Sequence, residues 1–404
     1  MKSFNVPSFY RSPLISKIKL HLKSQDPHRK SKRPFLINTE RFSLLIARHF
    51  GFCYGVENAI DIAFKALNEH SGKSIYLISE MIHNPQVNQD LIKRGVRFLH
   101  DTLGKSLIPI DTLQPDDVVI IPAFGASVPV LNQLKASGVK LHTYDATCPF
   151  VERVWNRAEK LGSSQFTILV HGTHDHEETR ATFSRAVLQN TPVLILRTLE
   201  EAHCIAQWIK NPPSFFEFEQ RFKGRYSPGF NPQTDFTRMG VINQTTMLAS
   251  ETQTIAEIIK QALQSHYGVS NLSNHFADTR DTLCYATNEN QESVIQLRDE
   301  KPDMVFVVGG YNSSNTSHLA ELCESVCPTF FIEAANCIQT DTIAHFNFHE
   351  KVIIQTAWPK LLNPRIGITS GASCPDAVIE SVMYRIAEHF NYTESQFSNF
   401  FSHL

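Results

Sequence analysis

The stretch Met304-Val-Phe-Val-Val-Gly-Gly-Tyr-Asn-Ser-Ser-Asn315 decides the fold. Its apolar run, Met304–Val308, is too short for a helix and rich in valine, so it reads as a strand buried on both faces. Two glycines end the run, hydroxyls and amides follow, and Ser317–Glu324 has the spacing of an amphipathic helix. A buried strand that passes through a polar, Gly-rich turn into a helix is the repeating unit of a parallel α/β sheet. Such sheets bind ligands beyond the carboxyl ends of their strands.

The same unit recurs along the chain. Strand-like runs occur at Ser43–Ala47, Ile75–Ile78, Val118–Ile121, Thr167–Val170, Val193–Leu196, Val241–Ile242 and Ile366–Thr369. Helical stretches such as Val56–Asn68 and Ala249–Gln264 separate many of them. Polar loops follow the strands at Glu80–Asn84, Pro122–Gly125, Asp145–Cys148, His171–Glu178, Asn243–Thr246, Gly309–Asn315 and Ser370–Ser373. The expected fold is α/β, with several lobes of parallel sheet facing one shared polar site. Residues 42–148 form a first lobe with its N-terminal strand, 149–283 a second, and 284–404 a third with the C-terminal tail. The Phe-, Pro- and Gly-rich segment at about 210–238 breaks the rhythm and reads as an insertion between lobes rather than a core element.

At 404 residues the chain is too long for one core, and its net charge of -2 gives no global pull toward nucleic acid or an anionic membrane. No apolar run approaches the roughly 20 residues of a spanning helix. Eight cysteines are too dilute for a disulfide scaffold. That points to reduced thiols and a cytoplasmic setting. Residues 1–41 form a basic extension, whose first 39 positions hold nine Lys/Arg against the single acid Asp26. No clear amphipathic helix is evident there. The extension reads as disordered or loosely docked, or as a plastid transit peptide if residues 1–40 are a targeting segment.

Three cysteines share a context. Cys53 lies between two glycines in Phe50-Gly-Phe-Cys-Tyr-Gly55, Cys148 in Asp145-Ala-Thr-Cys148-Pro149, and Cys284 in Asp281-Thr-Leu-Cys284-Tyr285. Each precedes an amphipathic run, and a thiolate near a helix N-terminus is favoured by the helix dipole. Three such cysteines, far apart in sequence, suggest a metal site assembled from afar, since the chain has no C-x-x-C pair. Three thiolates can hold three irons of a cubane and leave the fourth open, or they can bind zinc. Cys204, Cys323, Cys327 and Cys337 lie in helical or apolar runs and read as packing, while Cys374 adjoins Ser373 in a polar loop.

Imidazoles also recur at strand ends: His83, His171, His174 and His176. With Thr245, Thr246, Ser313, Ser314, Asn315 and Ser373 they suit an anionic, oxygen-rich ligand such as a diphosphate. Glu178 is the evident carboxylate placed to relay protons. Asn312–Asn315 taken alone reads equally well as turn and cap chemistry. No Walker A or GxGxxG loop is present, so ATP and NAD have no visible cradle, and were the chain a reductase its electrons would have to arrive from a separate carrier.

The motifs GFCYGV, IHNPQVNQ, DATCPFVERVW, HEET, NQTTM, DTLCYATNENQ, GGYNSSNTSHLAE and ITSGASCPD occur in this order from about residue 44 to residue 388. Their set resembles the LytB family of 4-hydroxy-3-methylbut-2-enyl diphosphate reductases. The resemblance implies three pseudo-related lobes with parallel sheets around a central [4Fe–4S] cluster ligated by Cys53, Cys148 and Cys284. It implies diphosphate binding by His83, His176, Ser313, Ser314, Asn315 and Ser373, with Thr245 at the substrate. Proton delivery falls to Glu178, with Thr245 beside it. It also implies an external electron donor such as ferredoxin or flavodoxin, no nucleic-acid or membrane partner, and a monomer or homodimer. Phe124, where many bacterial members carry histidine, and the 210–238 segment resemble the plant and cyanobacterial branch. Cys374 replaces a more usual small residue. An iron–sulfur hydro-lyase acting on a small phosphorylated alcohol and a redox-sensing protein are the alternatives that the same residues allow.

Overall fold

The computed structural model describes residues 4–28, 30–278, 282, 284–402 and 404. The chain forms two compact units, one of Met1–Glu57, His83–Val87 and Tyr285–Leu404, the other of Asn58–Ile82 and Asn88–Cys284.

The first unit is built on a five-stranded sheet in the order Phe35–Asn38, Ser43–Ile46, Arg365–Ser370, Met304–Val308, Thr329–Ile332. All neighbours are parallel except the edge pair Phe35–Asn38 and Ser43–Ile46. Strand periodicity divides the side chains between two cores. Leu44, Ile46, Met304, Phe306, Val308, Ile366 and Ile368 enter one; Leu45, Val305 and Val307 enter the other. The strand Ser43–Ile46 thus belongs to the sheet completed by the C-terminal residues. A separate hairpin pairs Thr342–Asn347 with Val352–Ala357.

The N-terminal extension corrects the expectation of loose structure. Pro13–Gln25 is a helix, with Pro at its start and Ser12 Oγ accepting the Ile15 N–H at 2.9 Å. Leu14, Ile15, Ile18 and Leu22 form a stripe buried in the same core as Phe306 and Ile368. Each such side chain stabilises by roughly 1.5–3 kcal/mol when fully buried. The stripe is narrow and flanked by lysines, which hid its amphipathic character in a basic sequence.

The second unit carries two parallel sheets. One runs Val96–Phe98, Ile75–Leu77, Val118–Ile120; the other runs Val193–Leu196, Thr167–His171, Met239–Asn243, Phe276–Ala277. The 210–238 segment, expected not to be a core element, contributes to the core. Its helix Phe215–Phe222 is closed by a Ser214–Glu217 capping box, and Phe218, Phe222, Phe230 and Phe236 pack with Leu169, Leu194 and Val241. The Phe-rich composition that breaks the α/β rhythm is itself core.

The three parallel sheets share one strand order. In each, a central strand is followed in sequence by a strand on one side and then by one on the other: 75–77 between 96–98 and 118–120, 167–171 between 193–196 and 239–243, and 304–308 between 329–332 and 365–370. A further segment then lies beside the third strand: Asp145 bridged to Ile121, Phe276–Ala277 beside Met239–Asn243, and Ser43–Ile46 beside Arg365–Ser370. Each of these segments leads to one of the cysteines Cys148, Cys284 and Cys53. This internal repetition is the expected set of three pseudo-related lobes.

Candidate active site

In each sheet the chain turns away in opposite directions from two adjacent strands, which opens a crevice beyond their carboxyl ends. In the four-stranded sheet these strands are Thr167–His171 and Met239–Asn243, so loops 172–178 and 244–246 meet there. Helix Glu177–Val187 starts at this crevice with His176 as its N-cap, and Glu178 sits in the first turn, where the dipole favours a carboxylate. Glu178 is 1% exposed. Thr245 donates to it twice, through its backbone N–H to Oε1 at 2.6 Å and its hydroxyl to Oε2 at 2.8 Å. His176 Nδ1 accepts the Glu178 N–H at 3.1 Å. The neutral imidazole therefore carries its proton on Nε2 as a donor. Phe124 packs edge-to-face on His176, with centroids 5.7 Å apart.

Gln244 is a buried organiser that the motif reading missed. Its Oε1 accepts from Thr173 N–H at 3.1 Å and Thr179 Oγ1 at 3.0 Å, and its Nε2 donates to Thr246 at 2.7 Å. It ties the two loops of the crevice together. The signal was present, since NQTT is polar throughout, but sequence could not tell a ligand contact from a strut. His171 is likewise structural. It is fully buried, with Nδ1 2.7 Å from Thr252 Oγ1. His174 lies exposed in the same loop.

Cys148 caps helix Pro149–Ser163. The loop before it is set by Asp145 Oδ1, which accepts the N–H and hydroxyl of Thr147 at 2.9 and 2.6 Å. Cys148 N–H donates to Ala123 O at 2.9 Å. Gly125 has φ +73°, and a Cβ there would lie 2.3 Å from the Trp155 ring that packs beside Cys148. Burial pushes the Cys148 thiol up to about 12, reinforced by Cys284 and Glu178, while the N–H groups of Phe150 and Val151 pull it down. At neutral pH the sulfur keeps its proton unless a cation takes its place. Cys284 is buried and precedes helix Tyr285–Asp299. Thr282 donates to Asn243 Oδ1 at 2.7 Å, and Asn243 Nδ2 donates to Gln244 O at 2.9 Å, which anchors the approach to Cys284. Asp281, half of the repeated Asp-x-x-Cys pattern, lies outside the described residues.

The first unit gathers the other candidates. Cys53 precedes helix Tyr54–Glu69 and donates its N–H to Ala372 O at 3.1 Å. Ser373 Oγ donates to His83 O at 3.0 Å, and Asn312 Nδ2 lies 3.4 Å from His83 Nδ1. Gly310 lets this contact form, because a Cβ there would meet His83 O at 2.8 Å. Ser313 caps helix Ser314–Glu324 through Thr316 N–H at 3.3 Å. Ser314 is the first residue of that helix. Asn315, in its first turn, is 3% exposed, and neither side-chain amide atom has a hydrogen-bond partner among the described residues. Cys374 is fully buried in the apolar core, which pushes its thiol up and makes it packing.

Among the described residues no three His, Cys, Asp or Glu side chains form a group for a metal ion; Cys53 belongs to one unit and Cys148 and Cys284 to the other. The donor chemistry nonetheless fits a metal–sulfur group. All three cysteines immediately precede a helix, where the dipole favours thiolate.

Sheet order and strand-end chemistry define a three-lobed parallel α/β protein with a thiol before the opening helix of each lobe. The model of the family described as LytB protein matches residues 44–387. The chain belongs to the LytB family. Relatives named 4-hydroxy-3-methylbut-2-enyl diphosphate reductase include one from Gloeobacter violaceus, 38% identical over 85% of this chain and 82% of its own. Another, from a Synechococcus species, is 40% identical over 85% of both chains. The fold is also that of the E-1-hydroxy-2-methyl-but-2-enyl-4-diphosphate reductase of Plasmodium falciparum, with TM-score 0.62 and 19% identity over 88% of this chain and 91% of that one.

Proposed function

We propose that this chain is a 4-hydroxy-3-methylbut-2-enyl diphosphate reductase, which removes the substrate hydroxyl as water with two electrons and two protons to give isopentenyl and dimethylallyl diphosphates. The observation that carries the reading is the buried Glu178 carboxylate held by both donors of Thr245, at the end of the sheet whose last strand precedes Cys284, with Cys148 near enough to feel the charge of Glu178. Cys53, Cys148 and Cys284 would hold a [4Fe–4S] cluster, which would relay electrons from the external donor and offer a Lewis-acidic iron. His83, His176, Ser313, Ser314, Asn315 and Ser373 are assigned to the diphosphate. Asn315 supports this, because its buried amide donor is left for a ligand. Ser313 and Ser314 open a helix whose N–H groups favour an anion. Glu178 stores the proton, and the Thr245 hydroxyl, donor and acceptor at once, hands it toward the departing oxygen.

The electron donor is assigned as a ferredoxin or flavodoxin. Among the described residues no helix is long and apolar enough to cross a membrane. A cytoplasmic setting is proposed, in keeping with the cyanobacterial relatives. The test is anaerobic reconstitution with iron and sulfide, followed by assay with dithionite. The reading expects a brown protein holding about four irons that turns the diphosphate over. A colourless protein binding stoichiometric zinc would sink it, and turnover that needs no reductant would favour the hydro-lyase.

A further inference from the structure

The reductase needs two electrons that the chain does not itself carry, and the first unit shows where a carrier can dock. A cavity of about 370 Å³ is lined by Lys19, Lys23, Phe52, Cys53, Tyr54 and Tyr285, among others. Its outer wall is the N-terminal helix Pro13–Gln25. The helix spends its apolar stripe on the core and turns a basic face outward.

The charges sort into two groups. Several are neutralised within the unit: Arg11 by Glu57 at 2.8 Å, Lys19 by Asp376 at 2.7 Å, Lys32 by Glu292 at 3.3 Å and Arg48 by Asp26 at 3.7 Å. Lys17, Lys23, Lys30 and Arg33 are exposed, and none has an ion-pair partner among the described residues. Of the acids that line the cavity, Glu57 faces Arg11, and Glu289 lies 3.7 Å from His49 and 3.9 Å from Lys32. Lys23, on the same lining as Cys53, has no ion-pair partner among the described residues. Leu20, 66% exposed, supplies an apolar contact between these lysines.

Resting on the reductase reading above, we propose that this basic face of Lys17, Lys23, Lys30 and Arg33, near the cavity lined by Cys53, docks a small acidic electron-transfer protein. A one-electron carrier docks reduced and leaves oxidised twice per turnover, and the two electrons with two protons cleave the C–O bond and release water. A lipid surface suits the face less well. Leu14, Ile15, Ile18 and Leu22 are committed to the core, which leaves Leu20 alone to insert. Unpaired rim charges of one sign act chiefly on encounter, so the interaction should be strongly salt-dependent.

The test uses the full chain and a plant-type [2Fe–2S] ferredoxin of net negative charge. Lys17→Glu/Lys23→Glu/Lys30→Glu should weaken ferredoxin binding to the cluster-free protein by about 10- to 100-fold in calorimetric titration at low salt. The reconstituted variant should show a raised KM for ferredoxin but unchanged turnover with dithionite, and Lys360→Glu should change neither. Unaltered ferredoxin affinity in the triple variant would overturn the proposal. So would retained ferredoxin binding alongside lost binding to phosphatidylserine vesicles, which would reassign the face to lipid. A wild-type protein inactive with dithionite strikes the reductase reading instead, while the titration still decides the docking.

Discussion

Thr245 holds Glu178 from two sides, its N–H on one carboxylate oxygen at 2.6 Å and its hydroxyl on the other at 2.8 Å. Both donors come from one residue, so the carboxylate is aligned by the loop after Met239–Asn243 while the helix N-terminus favours its charge. Glu178→Gln keeps the shape but turns an amide NH₂ toward one of the two donors. The rate with dithionite should fall by roughly 10²–10⁴, the span of general acid catalysis, with iron content unchanged. A variant with normal turnover would remove Glu178 from the proton path.

The partner residue separates two roles. Thr245→Ser retains a hydroxyl and should keep most of the rate. Thr245→Val leaves the backbone donor and removes only the hydroxyl, so a relay through that oxygen predicts a drop in kcat of about 10-fold or more with KM little moved. Equal rates for the two variants would show that the backbone N–H does the holding and that no proton passes through the side chain.

Asn315 stores instability for function. Its buried amide lacks partners among the described residues, a state that costs roughly 1–3 kcal/mol for an unsatisfied group. Asn315→Leu should therefore raise resistance to urea while weakening the diphosphate. A lost hydrogen bond to a charged group, about 1.5–3 kcal/mol, corresponds to a KM rise of about 10- to 100-fold. Stability and KM measured on one preparation check the pair, and a destabilised variant with normal KM would make Asn315 a purely structural residue.

Much of this was legible because the polar loops after short apolar runs obey local rules. Gly309-Gly310 and Asp145-Ala-Thr-Cys148 signal strand end and helix start without tertiary help. Two segments were not legible, for opposite reasons. Pro13–Gln25 hides a four-residue apolar stripe among lysines, and only its burial against Phe306 and Ile368 reveals it. Residues 215–236 look irregular because their order comes from long-range packing of phenylalanines rather than from periodicity. Gln244 shows a third limit, since a strut and a ligand contact are spelled with the same amide.

The two overlooked segments have a common test. Phe218→Ala and Ile18→Ala should destabilise their units by about 3–5 and 2–5 kcal/mol, because each deletes a fully buried side chain. Phe216→Ala and Lys17→Ala, on exposed positions of the same helices, should stay within about 0.5 kcal/mol. Denaturant midpoints of the four variants decide it. A neutral Ile18→Ala would return the N-terminal helix to the status of a loose extension.

Acid should loosen the first unit around its hairpin. Burial lowers the affinity of His345 and His389 for protons below the usual imidazole value of 6.5. His345 packs edge-on against Phe330, with Nε2 2.8 Å from Thr356 Oγ1, and His389 stacks on Trp358 at 3.8 Å. A base with a depressed folded pKa contributes stability that is fully present above the unfolded value of 6.5 and is lost as pH falls below it. Amide exchange across 342–357 should therefore quicken between about pH 7 and pH 5 beyond the intrinsic chemistry. His345→Gln/His389→Gln should flatten that dependence, since neither replacement titrates. Parallel profiles for variant and wild type would mean that other groups control the hairpin.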